Sequence, residues 1–257
     1  MKKNLTLLLL LILATTTFAQ KQAKYVFYFI TDGTGVNTIL GAEMFESAKQ
    51  DVIGRTPFCV TQFPVIGVSS TYSHDSGVTD SAASGTALAT GVKTKNGCIG
   101  QYPDLQTPAY SVAVWAKNAG YPVGIGTSVT INHATPAAFY GHQPSRNNYY
   151  ELGAQMADAD FDFYGGASIN KYVDEKKHPG APNLYGVMEK AGYAVAYGVD
   201  EYNKKAKKAD KILLIQDPNH LNPASGEGAL PYAIDAKEGE LSACSEKLND
   251  SEHYAAD

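Results

Sequence analysis

The sequence predicts an α/β protein with a largely parallel central sheet and helices on both faces. Two observations carry that expectation. Short runs rich in β-branched and aromatic residues alternate with helical runs along most of the 257 residues, the pattern of strands joined by helical crossovers. The first such run, residues 23–31 (Ala-Lys-Tyr-Val-Phe-Tyr-Phe-Ile-Thr), is nearly uncharged, as suits a strand covered on both faces. Hydrophobic residues make up 44% of the chain and charged ones 18%, which describes a globular rather than a disordered chain. A formal net charge of −5 argues against a nucleic-acid partner.

Lys2 and Lys3 precede an apolar run from Leu7 to Leu13, and small residues then end in Thr17-Phe18-Ala19. This is the pattern of a secretory signal peptide, residues 1–19, cleaved after Ala19. The apolar run is too short to span a bilayer. No cysteine follows it directly, so nothing supports a lipid anchor. Residues 20–257 are therefore expected to form one exported acidic domain, periplasmic or extracellular, with no membrane anchor.

The strand at 23–31 runs into Asp32-Gly33-Thr34-Gly35, a turn before a helix over 39–48. An acid at the carboxyl end of a central strand stands where α/β folds place their ligands, although the same Asp also reads as a cap for that helix. Residues 64–72 read as a second strand. Then comes Thr79-Asp80-Ser81-Ala82-Ala83-Ser84-Gly85-Thr86-Ala87, with capping residues at its entrance and helix formers behind them. Ser81 would stand at a helix N-terminus, where free N–H groups and the macrodipole favour negative charge. Taken alone, the run reads equally as a small-residue helix packed on a sheet.

A Gly/Lys-rich turn over 91–100 follows, then a helix over 111–118 ended by Gly120 and a strand over 121–129. In Thr130-Ile131-Asn132-His133-Ala134-Thr135-Pro136 the proline can open another helix. A helix at 149–157 and a short strand at 161–164, closed by Gly165-Gly166, come next. A helix at 184–191 precedes strands at 193–197 and 211–215. The lysines from Lys204 to Lys208 read as a solvated helix face. Beyond Gln216 the pattern fades into a loop and a polar helix with no closing strand, so the fold reads as incomplete at its C-terminus. Cys59, Cys98 and Cys244 leave either one pair and a free thiol or a partner outside the chain. No C-x-x-C spacing supports a cysteine metal site.

Asp32, the Asp80-Ser81 pair and the His133/Thr135 pair all fall near the ends of strands, and Arg146 follows shortly. Two carboxylates, an imidazole, a hydroxyl and a guanidinium suit phosphoryl transfer. Metal ions lower a nucleophile's pKa and neutralise phosphate oxygens, and a guanidinium grips two of those oxygens. No general base stands beside Ser81 in the sequence. The G-x-S-x-G elbow of serine hydrolases is also absent, which disfavours a Ser-His-Asp enzyme.

Thr79-Asp80-Ser81-Ala82-Ala83-Ser84, followed by Thr90-Gly91-Val92-Lys93-Thr94 and Gly97, resembles the nucleophile signature of the alkaline phosphatases. Asp32-Gly33-Thr34-Gly35 is similar to that family's D-G-M-G turn, and His133-Ala134-Thr135-Pro136-Ala137 to its magnesium-site segment. Arg146, with His142 four residues before it, matches its phosphate-binding arginine. The resemblance implies that Ser81 attacks phosphorus and forms a phosphoserine, hydrolysed by a zinc-bound water. It implies that Asp32 bridges zinc and magnesium, that Thr135 ligates magnesium and that Arg146 binds phosphate. It also implies Zn2+ and Mg2+ as cofactors, phosphate monoesters as substrates and a homodimer. His133 stands where members carry Asp or His; with His, magnesium would be held through water, or zinc or cobalt favoured instead.

The family's magnesium Glu and most of its zinc ligands lie in a C-terminal half without counterpart here. Asp217 with His220, and Asp250 with His253, are spaced one residue too closely for the family's zinc pair and read as loop or solvated residues. His74 and His178 read as surface residues. The chain is thus expected to be a partial member with little or no turnover. Two alternatives stand beside that reading: another metal-dependent phosphatase or phosphodiesterase of the same superfamily, and a secreted phosphate- or metal-binding pseudoenzyme. Ser81 lacks the C/S-x-P-x-R context of a sulfatase.

Overall fold

The computed structural model describes residues 23–216 and 229–230, and the chain divides into two compact units, Met1–Pro64 and Val65–Asp257. The expected signal peptide, Cys244 and both Asp/His pairs lie outside the described residues.

The first unit is built on helix α1, Val36–Ala48. Before it, Thr34 N–H donates to Thr31 O at 3.2 Å and Gly33 takes a positive φ of 68°, so residues 31–34 form the expected turn, with Asp32 exposed within it. Glu43, on α1, is only 1% exposed. Its carboxylate accepts from Thr61 Oγ1 at 2.5 Å, Arg55 Nη1 at 2.7 Å and Phe58 N at 2.8 Å. Those donors, the Thr61 hydroxyl first, pull its pKa down to about 2. One carboxylate thereby ties residues 55–61 back onto the helix.

A pKa lowered on folding stabilises above the ordinary glutamate range and is lost as the pH falls toward 2. Glu43→Gln is accordingly expected to speed amide exchange at Phe58 roughly tenfold at neutral pH, the scale of a lost hydrogen bond to a charged group. The difference between wild type and variant should shrink on acidification toward pH 2. Equal exchange in both proteins at pH 7 would remove Glu43 from this role.

The second unit holds a sheet of four parallel strands: β1, Gly124–Gly126; β2, Phe163–Gly166; β3, Tyr193–Tyr197; and β4, Lys211–Ile215, in the order β1-β2-β4-β3. Gly124 pairs with Phe163, Phe163 with Ile212, and Tyr193 with Lys211. Among the described residues six α-helices accompany it: α2, Ser81–Thr90; α3, Val112–Asn118; α4, Ala134–Ala137; α5, Tyr149–Ala159; α6, Leu184–Lys190; and α7, Gly198–Lys205. The expected α/β class with a parallel sheet is what forms. Its core is aromatic and aliphatic, with Phe161, Tyr164, Leu152, Met156, Ile131, Leu184, Met188 and Leu213 fully buried. The buried phenols are satisfied by carbonyls: Tyr140 donates to Ile131 O at 2.8 Å, Tyr164 to Met156 O at 3.1 Å and Tyr193 to Phe161 O at 2.6 Å.

Three strand expectations need correction. Residues 23–31 and 64–72 join no ladder among the described residues, and Tyr25 to Phe29, Val65, Ile66 and Val68 are exposed. Apolar alternation supplies a surface for a sheet to cover, but a strand exists only where a neighbour takes its N–H and C=O groups. The strand expected over 121–129 shortens to Gly124–Gly126. Pro122 has no N–H to give, and Val123 N–H donates to the Asp162 carboxylate at 2.9 Å. Gly165 and Gly166, read as the end of a strand, are its last residues. A Cβ on Gly166 would stand 2.8 Å from Ile131 Cγ1 and 2.9 Å from Val129 O, so the glycine lets the 127–131 loop cross close to the sheet. Cys59 and Cys98 are both free thiols, the first exposed and the second buried.

Candidate active site

Helix α2 begins at Ser81 because Asp80 caps it. Asp80 is extended (φ −97°, ψ 175°) and its Oδ1 accepts from Ala83 N at 2.9 Å. Its other oxygen accepts from Gly97 N at 3.0 Å and from Arg146 Nη1 at 3.2 Å. Asp80 and Arg146 are each about a quarter exposed (26% and 24%), so the pair sits at a surface opening. Arg146 is fixed a second time by its own N–H, which donates to Gly97 O at 2.7 Å. A guanidinium 66 residues away in sequence from the cap is therefore delivered beside the helix N-terminus. Ser81 is half-buried, and its hydroxyl has no hydrogen-bond partner among the described residues. A hydroxyl at the positive end of a helix, one residue from a carboxylate that holds a guanidinium, is an arrangement suited to an anion.

The loop that carries Gly97 is locked to the one that carries Arg146. Ile99 and Gln143 exchange both backbone hydrogen bonds at 2.9 Å, and His142 Nδ1 lies 2.6 Å from Gly100 O. His142 is thus a pin between the loops.

His133 and Thr135 open α4. Helices α2 and α4 pack closely at Gly85, where a Cβ would stand 3.2 Å from Ala138 Cβ and 3.5 Å from Thr135 Cα. The Thr135 segment therefore lies one turn along the helix that Ser81 begins. His133 is half-buried, its ring 6.5 Å from that of Tyr149. The fully buried Asn132 sets that loop: its Nδ2 donates to Tyr149 O at 2.7 Å and Asn170 O at 2.8 Å, and its Oδ1 accepts from Asn170 N at 2.8 Å.

The second unit thus brings together Asp80, Ser81 and Arg146, with the Thr135 segment against the same helix. Asp32 belongs to the first unit. Among the described residues no group of three or more His, Cys, Asp or Glu is placed to hold a metal ion. The donors named here do not complete a zinc site, which needs three or four protein ligands. His74 is exposed. His178 is partly exposed, stacked on Tyr150 at 4.7 Å, with Nε2 3.1 Å from Glu151 Oε1. Gly97 belongs to the signature quoted from the sequence, whereas Asn96 has no signal there beyond the Lys-Asn-Gly turn after the helix.

The family model for alkaline phosphatase matches residues 23–174, more than half of the chain. An alkaline phosphatase of Gadus morhua is 29% identical over 242 residues, covering 82% of this chain and 50% of that protein. The tissue-nonspecific alkaline phosphatase of Mus musculus is 35% identical over 137 residues, 49% of this chain and 26% of its own length. The chain spans half or less of the length of these relatives. Among solved structures, the cold-active alkaline phosphatase of a psychrophilic Shewanella superposes with a TM-score of 0.66 at 29% identity, over 81% of this chain and 48% of that one. The alkaline phosphatase of the Antarctic bacterium TAB5 gives 0.59 at 27%, over 74% and 52%. A histidine-to-aspartate variant of the TAB5 enzyme has magnesium bound in its M3 site; it gives 0.59 at 26% identity, over 73% of this chain and 50% of that one.

Proposed function

From the premise that this chain belongs to the alkaline phosphatase family, we propose that it carries the nucleophile and phosphate clamp of a phosphate monoesterase. The observation that carries the reading is the Asp80-Ser81-Arg146 arrangement at the start of α2. A phosphate monoester bound there has its non-bridging oxygens shared between the Arg146 guanidinium and the N–H groups at the helix start. Ser81 Oγ forms a bond to phosphorus as the ester oxygen leaves, and hydrolysis of the phosphoserine returns the hydroxyl.

Zn2+ and Mg2+ are the cofactors this reading calls for, and Asp32, Ser81, His133 and Thr135 are the chain's proposed contributions to holding them. The resemblance of residues 133–137 to the family's magnesium-site segment is what assigns His133 to the magnesium side. The described residues do not make a zinc site by themselves, so the chemistry assigned to this chain is binding, orientation and attack. Export directed by residues 1–19, a mature domain at 20–257 outside the cytoplasm and a homodimer complete the proposal. No helix among the described residues is long and apolar enough to cross a membrane.

The test is to incubate the purified chain with zinc, magnesium and p-nitrophenyl phosphate, quench in acid, and look for phosphate on serine. It is expected in wild type and absent in Ser81→Ala. Inorganic phosphate binding without any phosphoserine would favour the second reading, a phosphate-binding pseudoenzyme. Absence of both would overturn both.

A further inference from the structure

We propose that Asn96 is a positioning residue for this site: its side-chain amide fixes the backbone of Asp80, and through it both Ser81 and Arg146. The inference rests on the phosphatase reading for its catalytic consequence, while the contact itself stands independently. Asn96 Oδ1 accepts from Asp80 N at 3.1 Å, and Asn96 Nδ2 donates to Val78 O at 2.9 Å. The amide therefore meets the residues before the helix as a peptide group of a neighbouring strand would.

Helix entry explains why it is needed. The N-cap residue has a backbone N–H of its own, which a Glu or Gln three residues on often satisfies by reaching back. Here that place is Ala83, 2% exposed, with no acceptor side chain and no room for one. Asn96 supplies the acceptor from another loop. Its own backbone N–H is held by Asp75 Oδ1 at 2.9 Å, and Asp75 also accepts from the buried Ser73 hydroxyl at 3.1 Å. The next residue, Gly97, gives its N–H to Asp80 Oδ2 and accepts the Arg146 N–H. Residues 96 and 97 thus hold the backbone of Asp80, its carboxylate and the arginine's main chain. Asparagine suits the place because one planar group carries both the donor and the acceptor; aspartate would keep the acceptor but set an oxygen against Val78 O.

Asn96 is exposed, so Asn96→Ala removes the bridge without opening the core. Displacing a nucleophile by about an ångström slows its step on the order of a hundredfold, so phosphorylation of Ser81 by p-nitrophenyl phosphate should slow tenfold to a hundredfold. Inorganic phosphate affinity should fall several-fold at most, because the guanidinium keeps its Asp80 carboxylate partner and its main-chain bond to Gly97. Amide exchange at Asp80 should accelerate at least tenfold, while Ala89, within α2, stays unchanged. Asn96→Asp keeps the acceptor and should retain the protection at Asp80. Wild-type phosphorylation rates in Asn96→Ala would overturn the catalytic consequence, and unchanged exchange at Asp80 would overturn the contact. If the wild type forms no phosphoserine, the phosphatase reading fails, and the exchange arm still decides the role of Asn96.

Discussion

Arg146→Ala is expected to weaken inorganic phosphate binding about a hundredfold while lowering the stability of the second unit by about 1 kcal/mol or less. The two effects separate because the proposed phosphate contact and the observed ion pair are different interactions. In the proposed contact the guanidinium offers parallel charge-assisted hydrogen bonds, each worth roughly 1.5–3 kcal/mol, and losing about 2.7 kcal/mol is a hundredfold in affinity. Toward the fold it offers an ion pair to Asp80 at 3.2 Å with both groups a quarter exposed, a class of interaction worth about 0–1 kcal/mol. The main-chain bond from residue 146 to Gly97 O survives the substitution. Arg146→Lys should recover only part of the affinity, since an ammonium is a point charge without the planar fork.

Asp80→Ala should cost more stability and less affinity than Arg146→Ala, since the guanidinium loses its carboxylate partner but stays in place through the main-chain bond to Gly97 O. The substitution removes the α2 cap and the acceptor for Gly97 N–H together, costing about 2 kcal/mol, with the cap alone near 1. Calorimetry with inorganic phosphate and urea unfolding of the three variants separate these outcomes. Arg146→Ala binding phosphate as tightly as wild type would remove the residue from the site.

What could be read from the sequence was local chemistry. The start of α2 at Ser81 was legible because capping depends on the residues at the cap and the turn behind it, and Thr79-Asp80-Ser81 before an alanine run states that chemistry directly. Strands β3 and β4 were legible because both runs are short, apolar and cleanly bounded. What could not be read was set by partners distant in the chain. Residues 23–31 have the composition of a buried strand, yet a ladder requires a neighbour, and composition does not name one. Glu43 sits in a helix where an acid ordinarily faces water; its three donors come from residues 55–61, which no periodicity connects to it. Asp80 looked like a cap and is one, but its second oxygen serves a glycine and an arginine brought in by loops. Asn96 stood unmarked within the turn over 91–100 for the same reason. The proposed nucleophile lies in one stretch of sequence, while the groups that hold that stretch in place are scattered over several.

Gly100→Ala is expected to be the most damaging single-methyl change in the second unit, at about 3 kcal/mol or more. Two costs coincide there. Gly100 has φ +59°, and a Cβ built on it would stand 1.9 Å from Gly141 O and 2.9 Å from His142 Nδ1. The left-handed backbone costs a non-glycine residue roughly 1–2 kcal/mol. The contact with a carbonyl oxygen cannot be relieved by rotating a side chain, so the two loops must part. Parting them strains the Ile99–Gln143 bonds, the His142 contact with Gly100 O and the bond from Arg146 N to Gly97 O.

Gly97→Ala separates the two costs. Gly97 also has a positive φ, +81°, but nothing lies within 4 Å of its would-be Cβ. It should pay the conformational cost alone, about 1 kcal/mol, and keep its N–H on Asp80 Oδ2. Urea midpoints for both variants, with phosphate affinity measured below the transition, test the pair. Equal destabilisation would mean that the Gly100–Gly141 crossing is not what holds the loops. If Gly100→Ala falls well below Gly97→Ala in stability and loses phosphate binding with it, the Gly100–Gly141 crossing is what keeps Arg146 at the start of the Ser81 helix.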